Sequence, residues 1–223
     1  TLGAVSDTHD TEGEITENAQ AAPVDIDEIR SVLQTFVGRI DQVPPAHSAM
    51  HVDGKRAYDL ARAGRELDLP PRKVNIYQIG LAAYEYPNLT IEVSCGAGTY
   101  IRSLARDIGE KLGVGAYCSG LTRTAIGKFN LAEAVDPDDV DPAGDLIDPI
   151  AALDALTKIA VDPPDRNRLA MGKMVMLSSG SQDPTPEIAV TDFSGQLLAI
   201  AKLIDTPDGQ LLKPSKVFVQ PER

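Results

Sequence analysis

Five consecutive residues, Gly98-Thr99-Tyr100-Ile101-Arg102, carry the side chains best placed to do chemistry. An arginine and a tyrosine stand two residues apart behind a glycine. A guanidinium offers a fork of donors to a carboxylate or a phosphate, and loops at strand–helix junctions commonly hold binding groups. Gly96-x-Gly98-Thr99 would serve as a short phosphate cradle at a helix start, but it lacks the lysine of a P-loop. Asp7 and Asp10, where a strand end runs into a polar loop, attract attention as nucleophiles. Cys95 and Cys118 give neither a disulfide framework nor metal spacing, and His9, His47 and His51 have no ligand cluster around them. Taken alone, the five residues are better read as an ordinary strand–helix junction with a surface arginine.

The elements that must hold these residues follow from periodicity. Leu89, Ile91, Val93 and Cys95 alternate with Thr90, Glu92 and Ser94, which predicts a half-buried strand. Ile101, Leu104, Ala105, Ile108 and Leu112 recur at helical spacing, and Gly113 supplies a stop. A further strand is expected over Arg72–Tyr84. Helices are expected over Asp25–Ile40, with Asp25 and Glu28 as a capping box, and over Lys55–Ala63. Gln42 to Ala49 reads as a proline-stiffened loop. Beyond Ile159 short apolar runs alternate with turn residues, Ser194-Gly195 and Asp208-Gly209 among them, as in a small all-β module.

A chain of 223 residues with 43% hydrophobic and 24% charged residues is of ordinary soluble composition. No apolar run is long enough to span a membrane and no leader stands at the N-terminus, so a cytoplasmic protein is expected. The net charge of −12 argues against a general nucleic-acid binder. The distribution weakens that objection, because residues 54–74 hold six bases against three acids and residues 98–128 hold five against two. Two locally basic segments in an acidic chain could form one phosphate-attracting face.

Together the motifs resemble the TruB family of bacterial tRNA pseudouridine-55 synthases. Leu2-Gly3-x-x-Ser6-Asp7-Thr8-x-Asp10-x-x-Gly13 is similar to that family's Leu-Gly-x-x-Thr-Asp-Thr-x-Asp-x-x-Gly segment, which lies downstream of its catalytic loop, so the resemblance implies that Asp7 and Asp10 shape a loop end. Gln42-x-Pro44-Pro45-x-x-Ser48-Ala49, continued by Gly54-Lys55-Arg56-x-Tyr58-x-x-Ala61-Arg62-x-Gly64, resembles its proline-rich loop and following helix. The Gly98–Arg102 motif and Leu121-x-Arg123-Thr124 follow in the family's order, and Leu212–Phe218 resembles the end of its small PUA-type RNA-binding domain.

The resemblance implies an α+β protein: part of the pseudouridine synthase mixed sheet with flanking helices over residues 1–157, then a small β-barrel-like PUA-type domain over 158–223. It implies an isomerase that flips one uridine out of the tRNA T-loop and rejoins the base through carbon. No cofactor or metal is implied, and a monomer is expected. Arg102 occupies the place of the arginine that pairs with the catalytic aspartate, Tyr100 that of the uracil-contacting tyrosine, and Leu121 that of an apolar pocket wall. Lys55, Arg56, Arg62, Arg65, Arg106 and Arg123 become candidate phosphate contacts in the T-arm.

One departure matters. The family's aspartate lies in a Gly-Thr-Leu-Asp-Pro motif that these 223 residues do not contain. The expectation is an N-terminally truncated synthase that cannot turn over by itself. A non-catalytic RNA-binding or tRNA-remodelling protein is the main alternative. A nucleotide-binding α/β enzyme and an interaction domain that docks through the acidic stretch Asp136–Asp148 are two more.

Overall fold

In the computed structural model the described residues are 1–45, 51–52, 55–56, 69–177 and 187–221. They form two compact units, Thr1–Thr122 and Arg123–Arg223. Among the described residues no helix is long and apolar enough to cross a membrane.

The first unit is built on an antiparallel sheet of three strands, β3 (Gly38–Gln42), β6 (Arg72–Glu85) and β7 (Asn88–Cys95), in the order β3–β6–β7. A short antiparallel pair, β1 (Ala4–Ser6) with β2 (Ile15–Glu17), opens the chain. Helices α1 (Ile26–Gln34) and α2 (Ile101–Lys111) supply the other half of the core. Ile29 and Leu33 of α1, Ile76 and Ile79 of β6, and Leu104 and Ile108 of α2 are buried together with Phe36 and Val114. Each such side chain contributes about 1.5–3 kcal/mol by leaving water.

Both strands ahead of the junction, helix α2 and its stop follow their periodicity closely, and Gly113 leaves the helix at φ +71°. Helix α1 is shorter than expected. Asp25 caps it by accepting a hydrogen bond from the Asp27 amide (2.8 Å), but it ends at Gln34. Gly38, at φ +105°, then turns the chain into β3. Phe36 is still buried, so it continues the apolar face from a turn rather than from the helix. Lys55–Arg56 form strand β5 against β4 (His51–Val52) in place of the expected helix start. The antiparallel register of His51 with Arg56 and of Val52 with Lys55 prevails over the short helical spacing. The rest of that expected helix, including Arg62 and Arg65, lies outside the described residues.

The second unit begins with a two-strand hairpin, β8 (Ala125–Ile126) and β9 (Phe129–Asn130). Its main sheet has the order β10–β12–β13–β14–β11. The strands are β10 (Thr157–Ala160), β11 (Val175–Met176), β12 (Ile188–Thr191), β13 (Leu197–Thr206) and β14 (Gly209–Val217). Both expected turns occur, with Gly195 at φ +92° and Gly209 at φ +129°. Ile188, Val190, Leu198, Ala199 and Leu212 are fully buried beneath helix α3 (Pro163–Ala170), whose Leu169 joins them. The sequence reading missed α3 and the parallel pairing of β10 with β12. Asp162 ahead of Pro163-Pro164 was the available signal, a capping acid before proline at the first helical position. Among the described residues the sheet stays open and does not close into the barrel-like form expected.

Candidate functional site at the strand–helix junction

The junction between β7 and α2 is fixed from behind by one buried side chain. Gln42, at the end of β3, accepts a hydrogen bond from the Tyr100 amide (2.8 Å) and donates one to the Tyr100 carbonyl (3.0 Å). Its side chain thus replaces a missing strand partner for the residue that opens α2. Ser103 donates to the Val43 carbonyl (2.9 Å), which ties the proline loop to the same helix. Sequence reasoning had Gln42 only as a loop residue. We expect Gln42→Leu to leave the Tyr100 amide unpaired, the Tyr100 carbonyl keeping its bond from the Leu104 amide (3.0 Å), and to destabilise the protein by about 1–3 kcal/mol. Urea denaturation followed by circular dichroism checks this.

Arg102 sits in the first turn of α2, where no acidic residue stands. A helix N-terminus favours anions, so a cation there is out of place by the helix dipole alone. The structure supplies the compensation. Arg102 Nη1 donates to Asp10 Oδ2 across 92 residues of sequence. The side chains are only 29% and 16% exposed, as little as those of the neighbouring Arg106–Asp107 pair and far less than those of surface pairs such as Arg30–Asp27.

Asp10 is itself oriented. Its Oδ1 accepts from the Thr8 hydroxyl (2.6 Å) and from the Glu12 amide (3.0 Å), leaving Oδ2 for the guanidinium. Burial pushes the Asp10 carboxyl up. The hydrogen bonds from Thr8, Glu12 and Arg102 outweigh that push and hold its pKa below the ordinary aspartate value. Asp7 has a different task, accepting from the Glu14 amide (2.9 Å) inside the loop. The expectation that both aspartates shape a loop therefore holds in geometry, but it is incomplete. Arg102, read from sequence as the partner of a carboxylate outside the chain, has one within it.

Between these residues lies His9, in the left-handed region at φ +64°. Burial, then Arg106 and Arg102, pull its pKa down to about 4 against the opposing pull of Asp10 and Asp7. Two acid-side effects follow. The unfolded chain protonates His9 before the folded one does, so stability falls as pH drops from about 6.5 toward 4. Asp10, depressed in the fold, adds stability that is present above its unfolded pKa and is lost as pH falls through its folded value. We expect the urea midpoint to decline from pH 7 to pH 4, and to decline less in His9→Asn than in the unmodified chain.

The remaining candidates are distributed less simply. Tyr100 and Arg102 are brought together at the junction, Tyr100 as the capping residue of α2. The segment bearing Leu121 is tied to the Asp10 loop, because Cys118 donates its amide to the His9 carbonyl (2.9 Å). Leu121 itself is 64% exposed, an apolar side chain facing outward from the site loop. Arg106 turns to its neighbour Asp107 (2.6 and 2.8 Å), and Lys111 donates to Thr35 (2.7 Å) over the ring of Phe36. Arg123 opens the second unit and is exposed. Lys55 and Arg56 lie on β5. Among the described residues no group of three His, Cys, Asp or Glu side chains could hold a metal ion.

An α+β core, a sheet–helix junction and an arginine–aspartate pair define a class that comparison of folds makes explicit. The chain superposes on a protein in the crystal structure of a Cbf5-Nop10-Gar1 complex with a TM-score of 0.64 and 26% identity, covering 91% of this chain and 66% of that one. In an H/ACA RNP bound to a substrate RNA containing 2′-deoxyuridine the TM-score is 0.66 at 22% identity, a likeness of fold. The fold is that of the pseudouridine synthases.

Residues 1–101 match the N-terminal domain of TruB family pseudouridylate synthases, and residues 102–157 match the tRNA pseudouridylate synthase B C-terminal domain. The tRNA pseudouridine synthase B of Dehalococcoides mccartyi is 37% identical over 227 residues, covering 99% of this chain and 74% of the relative. That of Syntrophomonas wolfei is 36% identical, covering 98% and 75%. The chain belongs to the TruB family of pseudouridylate synthases, and it spans about three-quarters of the length of these relatives.

Proposed function

We propose that the complete protein isomerises the T-loop uridine of tRNA, position 55, to pseudouridine, and that the 223 residues described above carry the arginine side of its site. The Asp10–Arg102 pair beside Tyr100, in a chain of this family, is the observation that carries the proposal. Arg102 orients and stabilises the nucleophilic carboxylate. A guanidinium has five donors, so it serves Asp10 and a second carboxylate together. Tyr100 packs on the flipped base and Leu121 closes an apolar wall.

Residues 1–157 act as the catalytic domain, and 158–223 as a PUA-type RNA-binding domain. Lys55, Arg56, Arg62, Arg65, Arg106 and Arg123 contact phosphates of the T-arm. For Arg106 this requires it to leave Asp107. The same proposal makes the protein a cytoplasmic monomer that works without cofactor. Because the Gly-Thr-Leu-Asp-Pro motif does not occur among these residues, the 223-residue chain alone does not turn over.

A release assay on T-arm RNA labelled at carbon 5 of uridine tests both parts. Label release by the complete protein, and none by the 223 residues, is the expected result. Release by the 223 residues would show that Asp10 or Asp7 is the nucleophile. Binding without release by the complete protein would favour a non-catalytic RNA-remodelling role.

A further inference from the structure

His9 combines three features that its neighbours in the loop do not share. Its backbone is held in the left-handed region, which side chains other than glycine enter at a cost. That conformation is pinned at both ends, by the His9 amide donating to the Ser6 carbonyl (3.0 Å) and by the Cys118 amide donating to the His9 carbonyl (2.9 Å). Its Nδ1 is buried and has no hydrogen-bond partner. A buried ring nitrogen without a partner is uncommon, and it persists where other interactions dictate the placement of the ring.

Charge of both signs acts on the ring: Asp7 and Asp10 from its own loop, Arg102 and Arg106 from α2. These are the titratable groups that act on it. A protonated imidazole here would repel both guanidiniums and compete with Arg102 for Asp10. A neutral ring does neither. Its Nδ1 is shut off from water, and charges interact more strongly where water is kept away. Glycine or asparagine would satisfy the backbone angle at less cost, so the angle alone does not explain an imidazole.

We propose that His9 is a positioning residue of the uridine site, whose imidazole shields the Asp10–Arg102 pair from water. The role it assigns in the reaction rests on the function proposed above, whereas the shielding itself does not. His9→Asn and His9→Gly keep the left-handed backbone available and remove the ring.

In the complete protein, kcat on T-arm RNA should fall about ten- to a hundredfold in both variants, with KM changed less than twofold. Unchanged kcat in both would overturn the proposal, because only the backbone would then matter. A raised KM with kcat unchanged would also overturn it, making His9 an RNA contact instead.

A second measurement needs neither a variant nor activity. Hydrogen exchange of the Arg102 guanidinium, followed by NMR in the unmodified complete protein, should be at least about tenfold slower than that of exposed Arg39. Equal rates would show that the pair is not shielded. Should the unmodified protein fail to isomerise uridine, the functional reading fails, and the exchange rates still decide the shielding.

Discussion

Replacing Arg102 by alanine in the complete protein is expected to abolish uridine isomerisation while tRNA binding persists. The guanidinium occupies the first turn of α2, held there by Asp10 against the unfavourable end of the helix dipole. Its value to the reaction is differential. On the function proposed above, it stabilises charge that develops on the reacting carboxylate and sugar and fixes the geometry of their approach. Removing one such preorganised group costs about 100- to 1,000-fold in kcat. RNA affinity is spread over many phosphate contacts, so Kd for tRNA should change only a few-fold.

Arg102→Lys should be nearly as damaging, because an ammonium lacks the planar fork that can serve two carboxylates. Single-turnover kinetics and filter binding on the same preparations separate the two effects. Isomerisation at an unaltered rate in Arg102→Ala would remove this residue from the mechanism. Loss of binding in parallel with loss of rate would make it a phosphate contact instead. Asp10→Asn belongs in the same series: it preserves the shape of the Thr8–Glu12 loop but removes the charge that holds the guanidinium.

Gly109→Ala should cause a large loss of stability in the first unit. Gly109 lies on α2, and a Cβ there would come within 2.2 Å of the Ala116 amide nitrogen and 2.4 Å of the Gly115 carbonyl carbon. Both are backbone atoms, so no side chain can swing aside. The close approach is cemented by hydrogen bonds from the Val114 and Gly115 amides to the Gly109 carbonyl (3.2 and 3.0 Å). The loop pressed against the helix leads directly to Cys118, whose amide holds the His9 carbonyl. An added methyl group must therefore push α2, and Arg102 with it, away from the Asp10 loop.

We expect a cost of about 3 kcal/mol, and a fall in Tm of roughly 10 °C by calorimetry. Gly120→Ala is the control. Nothing lies within 4 Å of a Cβ at that position, so stability should stay within about 0.5 kcal/mol. A Gly109→Ala protein as stable as Gly120→Ala would mean that the helix and loop are less tightly packed than described.

Much of the scaffold was legible because it is written in local pattern. The alternation in β7, the helical spacing after Ile101 and the stop at Gly113 each depend on residues a few positions apart, and each appears where expected. The same rule explains the failures. Phe36 and Val37 continue the helical spacing of α1, but Gly38 and the pairing of β3 with β6 end the helix first. Strand β10 escaped notice because its partner, β12, lies some thirty residues away and runs parallel to it.

The sequence by itself determined the elements around the junction, the motif Gly98–Arg102 and the family to which the motifs point. Hydrophobic periodicity and motif order are properties of the chain before it folds. Tertiary structure alone decided which groups meet. Gln42 reaches Tyr100 across 58 residues and Arg102 reaches Asp10 across 92. An aspartate in a polar loop looks alike in sequence whether it caps a turn or pairs with a guanidinium. Partial burial and the direction of its second oxygen make the difference, and both arise only when the loop is brought to the first turn of α2.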